Sequence, residues 1–268
     1  MRILILGGYG FIGSHIANYL KKDNHTVGIV DCYHQYFTFP NWEYEPVLSQ
    51  RKLITGADKE YIGKIENLQF MEHAFSDFKP DRVIHVATYP NAKMVKRNVL
   101  DLCVKHKVEK ITFASSSMVY GEFNNQVPDE TVEPRPNTLY GSYKRQGELM
   151  CKIWHREHGL DYVIMRPSAL YGEKDAITRV ISQLLKNALT TGKMTVQGPD
   201  NKLDFSNVLD VAKYFALATV KDVKNETFNC TRGNGRKIIE AAELIKESLG
   251  TGEIITQPQA YQTISIGF

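Results

Sequence analysis

Gly7, Gly10 and Gly13 recur at every third position, directly after the apolar run Ile3 to Leu6 and into the amphipathic stretch Phe11 to Lys21. A strand that passes into a helix through three bare backbone positions leaves few folds open. A pyrophosphate needs backbone N–H groups at close range and the positive end of a helix dipole, and any Cβ on the turn would hold it away. Gly13 in addition lets the helix sit tight on the strand. The segment Gly7-Gly8-Tyr9-Gly10-Phe11-Ile12-Gly13 therefore reads as the phosphate-binding turn for a dinucleotide, with Gly7, Gly10, Phe11, Ile12 and Gly13 around the phosphates.

Farther along, short β-rich runs alternate with amphipathic stretches, the pattern of βαβ units in a sheet covered on both faces. Strands are predicted at Arg2 to Leu6, Thr26 to Val30, Arg82 to Val86, Lys110 to Ala114 and Asp161 to Met165. Helices are predicted at Phe11 to Lys21, Ala92 to His106 and Asn137 to His158. A third strand must fall between Asp31 and Asn67, where Tyr, Pro and charge obscure any period. Past Arg166 the pattern gives a helix at Ala176 to Leu189, a strand at Met194 to Gln197, a helix at Val208 to Val220, a strand at Thr227 to Asn229 and a helix at Lys237 to Ser248. The expectation is an α/β fold: a doubly wound parallel sheet of the Rossmann type over residues 1–167, with residues 204–222 packing back on it. A smaller C-terminal substrate-binding lobe would occupy residues 168–268.

A length of 268 residues suits one dominant core with a lesser lobe. Hydrophobic and charged fractions of 43% and 24% are globular values and argue against disorder or fibres. No apolar run approaches the roughly 20 residues of a bilayer span, and Met1-Arg2-Ile3 enters a strand directly, so a soluble, cytoplasmic protein is expected. A net charge of +3 is too balanced to imply a nucleic-acid or membrane partner. Cys32, Cys103, Cys151 and Cys230 are far apart and read as buried free thiols, with neither a metal site nor a disulfide framework.

The second predicted strand ends in Val30-Asp31, 18 positions past Gly13. A carboxylate there accepts hydrogen bonds from both hydroxyls of an adenosine ribose and repels a 2′-phosphate. Cys32-Tyr33-His34 offer no Arg or Lys to offset that repulsion, so NAD is favoured over NADP. Tyr140-Gly141-Ser142-Tyr143-Lys144 sets a phenol and an ammonium one turn apart on one helix face. The ammonium favours the phenolate, lowering a pKa that is ordinarily about 10, so the tyrosine can take a proton from a substrate hydroxyl while hydride leaves. Among 14 tyrosines about one such spacing arises by chance; a second, Tyr89 to Lys93, contains Pro90 and is set aside. Ser115-Ser116-Ser117 follow the predicted fifth strand, at the sheet end where such folds place active groups.

These segments together resemble the extended, nucleotide-sugar-modifying branch of the short-chain dehydrogenase/reductase superfamily, the UDP-glucose 4-epimerase-like group of NAD-dependent epimerases and dehydratases. The likeness runs through Gly7 to His15, Val83 to Ala87, Phe113 to Gly121, Tyr140 to Lys144, Arg166 to Gly172 and Asp204 to Ala212. It implies NAD as cofactor, with Ile65, Val86, Ala87 and Pro167 joining Asp31 and the glycine turn in its site. It implies Ser116, Tyr140 and Lys144 as the catalytic set, with Ser117, Tyr120, Ser168 and Ala169 on the substrate side. A nucleotide-sugar substrate and a homodimer through the helices Ala92 to His106 and Asn137 to His158 are implied as well. His85 is expected to be a packed strand residue.

Several positions depart from that resemblance. Ala169 stands where an Asn usually lies near the substrate diphosphate, Leu203 where an Arg usually reaches the phosphates, and Lys64 where a carboxylate often contacts adenine. Lys202 adjoins Leu203, but neighbouring strand residues point to opposite faces. Between Ala87 and Asn98 the chain is about ten residues shorter than the resemblance implies. Either the substrate loop is trimmed or a stretch is absent from the sequence. Ser117 and Met118 supply neither the acids of a sugar dehydratase nor the Cys of a 3,5-epimerising reductase. The expected activity is an NAD-dependent epimerase of a nucleotide sugar, acting by transient oxidation at carbon 4. Two other readings stay open: a dehydrogenase or reductase of a smaller carbonyl or alcohol, and a catalytically silent NAD-binding regulator.

Overall fold

The computed structural model describes residues 1–34, 41–87, 95–121, 128–176 and 179–258. In chain order the elements are β1 (Arg2–Leu6), α1 (Phe11–Lys22), β2 (Thr26–Asp31), α2 (Asn41–Thr55), β3 (Lys59–Ile62), α3 (Leu68–Phe78), β4 (Arg82–His85), α4 (Val95–Lys105) and β5 (Lys110–Ala114). A 3-10 turn (Ser117–Tyr120), α5 (Leu139–His158) and β6 (Asp161–Pro167) follow. The remainder is β7 (Ala169–Tyr171), α6 (Val180–Thr191), β8 (Lys193–Gln197), β9 (Lys202–Leu203), β10 (Phe205–Asn207), α7 (Val208–Val220), β11 (Glu226–Cys230), β12 (Arg236–Lys237), α8 (Ile238–Leu249) and β13 (Glu253–Gln257).

Seven strands form one parallel sheet in the order β11-β6-β5-β4-β1-β2-β3. The order reverses between β1 and β4, so a crevice opens at their C-terminal ends, where ligands of such sheets bind. Because helices cover both faces, β1 is apolar on both sides: Leu4 and Leu6 pack with Phe75 and Phe78 of α3, while Ile3 and Ile5 pack with Ile16 of α1 and Phe215 of α7. Helix α7 thus returns to the main sheet, and the buried ammonium of Lys110 on β5 donates to the carbonyls of Ala218, Lys221 and Val223 at its C-terminal end. Strand β11 completes the same sheet from within residues 168–268. The lesser lobe gathers Leu184, Ala188, Met194, Val196 and Ala242 from α6, β8 and α8.

The third strand falls at Lys59–Ile62, inside the interval where it was expected. Helix α2 in that interval gave no periodic signal because it buries Arg51 and Thr55 and leaves Leu53 83% exposed, the reverse of an apolar stripe. Helix α4 is described from Val95, so residues 88–94, with the Tyr89 to Lys93 spacing, lie outside the described residues. Among the described residues no helix is long and apolar enough to cross a membrane. Cys103, Cys151 and Cys230 are buried free thiols, and Cys32 is a half-buried one.

Candidate functional site

The chain leaves β1 at the sheet's switch point and turns through Gly7, whose φ of +85° belongs to the left-handed half of backbone space. A Cβ on Gly7 would sit 2.8 Å from the backbone of Ala87, and one on Gly13 would sit 2.3 Å from the carbonyl oxygen of Gly7. The turn is therefore packed backbone against backbone, with no room for a side chain. Gly10 caps α1 without a side-chain hydrogen bond, so the first N–H groups of the helix are not capped by a side chain and suit an anion. Phe11 opens the helix, and the guanidiniums of Arg51 and Arg179 lie 5.8 and 4.8 Å from its ring.

Asp31 ends β2 beside this turn. Its two carboxylate oxygens accept from the backbone N–H of Tyr9 (2.9 Å) and of Tyr33 (2.8 Å). Burial raises its pKa against the pull of those N–H groups. Helix α2 also brings Lys52 here, its ammonium 3.9 Å from the Tyr33 ring and 5.6 Å from the Tyr9 ring. The segment Cys32 to His34 contains no such cation, and nothing in the spacing of α2 announces that Lys52 would arrive. Arg51 is spent otherwise: its Nε and Nη2 donate to the carbonyl of Lys174.

Across the crevice, Thr138 caps α5 by accepting from the N–H of Gly141, and α5 then presents Tyr140, Lys144 and Glu148 at successive turns. Tyr140 is half-buried, whereas Lys144 and Glu148 are buried. The Lys144 ammonium donates to the carbonyl of Ala114 (2.8 Å) at the end of β5 and sits 5.5 Å from the Tyr140 ring centroid. A Cβ on Gly141 would lie 2.3 Å from the carbonyl oxygen of Met118, so the first turn of α5 rests directly on the 3-10 turn. Ser116 precedes that turn and caps it, its Oγ accepting from the N–H of Met118 (3.2 Å). Arg179 links the two sides of the crevice. Its guanidinium stacks on Phe11, and burial pulls its pKa down while Asp175 and then the Tyr140 phenol push it back up.

The remaining expected site residues lie around these. Ile65 is buried in the core beside Phe70, and Val86 and Ala87 are half-buried at the end of β4, their N–H groups donating to the carbonyl of Leu6. His85 is buried with its ring edge-on to Phe113. Pro167 ends β6, and Ser168 and Ala169 follow it half-buried, with the Ala169 N–H donating to the carbonyl of Asp204. Ser117 is buried within the 3-10 turn. The hydroxyl of Tyr120 faces inward, accepting from Arg166 Nη1 (2.6 Å) and lying 2.9 Å from Asn229 Oδ1 and 3.1 Å from the carbonyl of Asp129. Arg236 on β12 pairs with Leu203 on β9 in an antiparallel register, so the two side chains share a face. Arg236 is half-buried and makes no ion pair among the described residues.

Below the 3-10 turn a buried ion pair joins α5 to β6. Glu148 Oε1 accepts from Ser115 Oγ (2.5 Å) and Arg166 Nε (2.8 Å), and Oε2 accepts from Arg166 Nη2 (2.8 Å) and Arg145 Nη1 (3.1 Å). Burial would raise the Glu148 pKa, but the hydrogen bonds from Arg166 and Ser115 and the charge of Arg166 outweigh it and hold the carboxyl below its ordinary range. Among the described residues no cluster of His, Cys, Asp and Glu could hold a metal ion.

Residues 3–231 match the model of the NAD dependent epimerase/dehydratase family. A putative UDP-glucose 4-epimerase of Methanocaldococcus jannaschii is 31% identical over 265 residues, spanning 94% of this chain and 84% of that protein. The crystal structure of a UDP-glucose 4-epimerase of Thermotoga maritima with UDP-glucose superposes with a TM-score of 0.86 at 26% identity, covering 98% of this chain and 88% of that one. A UDP-glucose 4-epimerase of Thermus thermophilus, solved in complex with NAD, gives a TM-score of 0.83 at 25% identity over 97% and 87% of the two chains.

Two measurements test the site. Gly13→Ala drives a Cβ into the Gly7 carbonyl and lifts α1 off the turn, so NAD affinity measured by calorimetry should fall by about tenfold or more; unchanged affinity would mean that the dinucleotide lies elsewhere. The lowered Glu148 pKa makes its ion pair stabilising above the ordinary glutamate value of 4.5, a contribution lost as pH falls through the lowered value. Removing Glu148 alone would strand a buried guanidinium at a cost of about 3–5 kcal/mol. The paired variant Glu148→Met/Arg166→Met is the better comparison, and urea unfolding below about pH 4.5 should show a shallower loss of stability than in the wild type. Parallel pH profiles would contradict the assignment.

Proposed function

This chain belongs to the NAD dependent epimerase/dehydratase family, and from that premise we propose that it epimerises a nucleotide sugar by transient oxidation at carbon 4. NAD is its cofactor, and when bound it supplies the acceptor and donor of a hydride at that carbon. The residues present fit it: the turn from Gly7 to Gly13 leaves a cradle that a Cβ would fill, the uncapped N–H groups of α1 suit its pyrophosphate, and the Asp31 carboxylate suits its ribose.

One observation supports the catalytic reading: α5 sets the Lys144 ammonium 5.5 Å from the Tyr140 ring while it donates to the carbonyl of Ala114, two residues before Ser116. In this reading Tyr140, as phenolate, takes the proton of the sugar's carbon-4 hydroxyl and later returns it to the same oxygen. Lys144, anchored on Ala114, keeps a positive charge beside the phenol and favours its ionised form. Ser116 donates a hydrogen bond that steadies the oxygen while its proton moves. Ser117 and Met118 beside it carry no acid able to expel a second hydroxyl, which supports simple redox over dehydration. Ala169 and Leu203 favour a second reading, an NAD-dependent dehydrogenase or reductase of a substrate without a diphosphate. Arg236 tips the balance back, because its register with Leu203 offers a guanidinium on the face where a diphosphate would otherwise meet only an apolar side chain.

Incubation with UDP-glucose or UDP-galactose, with and without added NAD, separates these readings by NMR of the products. Interconversion without net NADH supports the epimerase, while steadily accumulating NADH would replace it with the dehydrogenase. Tyr140→Phe should lower turnover by about 10²-fold or more with NAD affinity unchanged; an active Tyr140→Phe protein would refute the proposed base. Arg236→Ala should raise KM for the UDP-sugar about tenfold with kcat nearly unchanged, and an unaltered KM would remove Arg236 from the diphosphate site.

A further inference from the structure

The Glu148–Arg166 pair touches neither the glycine turn nor the phenol, yet it is bonded to both ends of the segment that carries Ser116. Ser115, bonded to Glu148, immediately precedes Ser116, and Tyr120, bonded to Arg166, ends the 3-10 turn. On α5 the grip runs one turn deeper than the lysine: Lys144 holds the carbonyl of Ala114, and Glu148 holds the hydroxyl of Ser115. Two successive residues of the strand end are thus bolted to two successive turns of the helix that bears Tyr140.

The chemistry of the pair excludes a direct part in proton transfer. A carboxylate has about four lone-pair directions, and all four on Glu148 are taken, by Ser115, by Arg166 twice and by Arg145. Glu148 is fully buried and Arg166 is 2% exposed. As a source of stability such a pair is poor, because desolvating two charges offsets most of their attraction, and apolar residues of the same volume serve as well. What it provides, and apolar packing does not, is direction: a bidentate fork fixes distance and angle at once.

We propose that Glu148 and Arg166 are positioning residues for the reaction, clamping the 3-10 turn at Ser115 and Tyr120 and so fixing Ser116 against the face of α5 that carries Tyr140 and Lys144. The same fork reaches the edge strand β11, since the Tyr120 hydroxyl lies within hydrogen-bond distance of Asn229, whose Nδ2 donates to the carbonyl of Pro128 and whose N–H donates to Glu130. The register between catalytic helix, catalytic turn and the 128–130 segment is then set by one buried pair. This rests on the epimerase reading for its effect on rate, but the clamp itself can be measured without turnover.

Ser115→Ala removes one jaw and leaves the ion pair intact, so the protein should fold. Measured well below its melting temperature, kcat for the UDP-sugar should fall about tenfold, with KM and NAD affinity within about twofold. Ser115→Thr, which keeps the hydroxyl, should recover most of the loss. Amide hydrogen exchange at Met118, Val119 and Gly121, the N–H groups of the turn, should quicken about tenfold in Ser115→Ala while exchange within β5 stays as it was. A merely structural role would lower the melting temperature and leave kcat in place, and that outcome overturns the proposal, as does unchanged exchange in the turn. Wild-type protein inactive on UDP-sugars would sink the epimerase reading instead; exchange would then decide the clamp alone, faster exchange sustaining it and unchanged exchange overturning it.

Discussion

The arrangement of Ser116, Tyr140 and Lys144 depends on how closely helix α5 lies along the C-terminal end of β5. The contact is made of backbone where it is tightest: Gly141 leaves its Cβ position to the carbonyl of Met118, and a methyl group there would displace the turn that Ser116 caps. Lys144 then reaches the carbonyl of Ala114 and Glu148 reaches the hydroxyl of Ser115, so the helix is registered on the strand by polar bonds of fixed direction. Apolar packing alone would tolerate a slide along the helix axis that these bonds forbid. A phenol, an ammonium and a hydroxyl are useful together only if that slide is prevented.

The opposite wall of the crevice is built on the same plan with a different partner. Gly13 against the carbonyl of Gly7 brings α1 down onto the end of β1, and Gly7 against Ala87 joins that turn to β4. Both close approaches occur at the C-terminal edge of the sheet. Arg179 stands between the walls, stacked on Phe11 and within electrostatic reach of Tyr140. A positive charge there favours anionic ligands and the ionised phenol alike.

Three buried cations are held by acceptors distant in sequence. Lys110 closes the last turn of α7 with three carbonyl bonds, Arg51 is held by the carbonyl of Lys174, and Arg166 by the carboxylate of Glu148. Each ties a segment distant in sequence to the main sheet or to the crevice. In this way α7 and β11, which follow the lesser lobe's first helix in the chain, belong structurally to the large sheet.

The glycine spacing, the alternation of strands and helices, and the Tyr140 and Lys144 pair were legible in the sequence because each is a local pattern: a turn that excludes side chains, a hydrophobic period, an i, i+4 stripe. Helix α2 was not, since it buries Arg51 and Thr55 and exposes Leu53, so its period carries no hydrophobic signal. Helix α3 could have been read from Met71, Ala74, Phe75 and Phe78, which fall on one stripe. The sequence by itself thus determined the strands of the sheet, the glycine turn and the pairing of Tyr140 with Lys144 on one helix face, all consequences of neighbours within a few residues. Only the tertiary structure decided that Lys52 lies over the Tyr33 ring, that Arg236 faces the side of Leu203, and that one carboxylate grips Ser115 and Arg166 together. Those meetings join residues tens of positions apart, and no spacing rule reaches across a sheet; strand order, register and burial do.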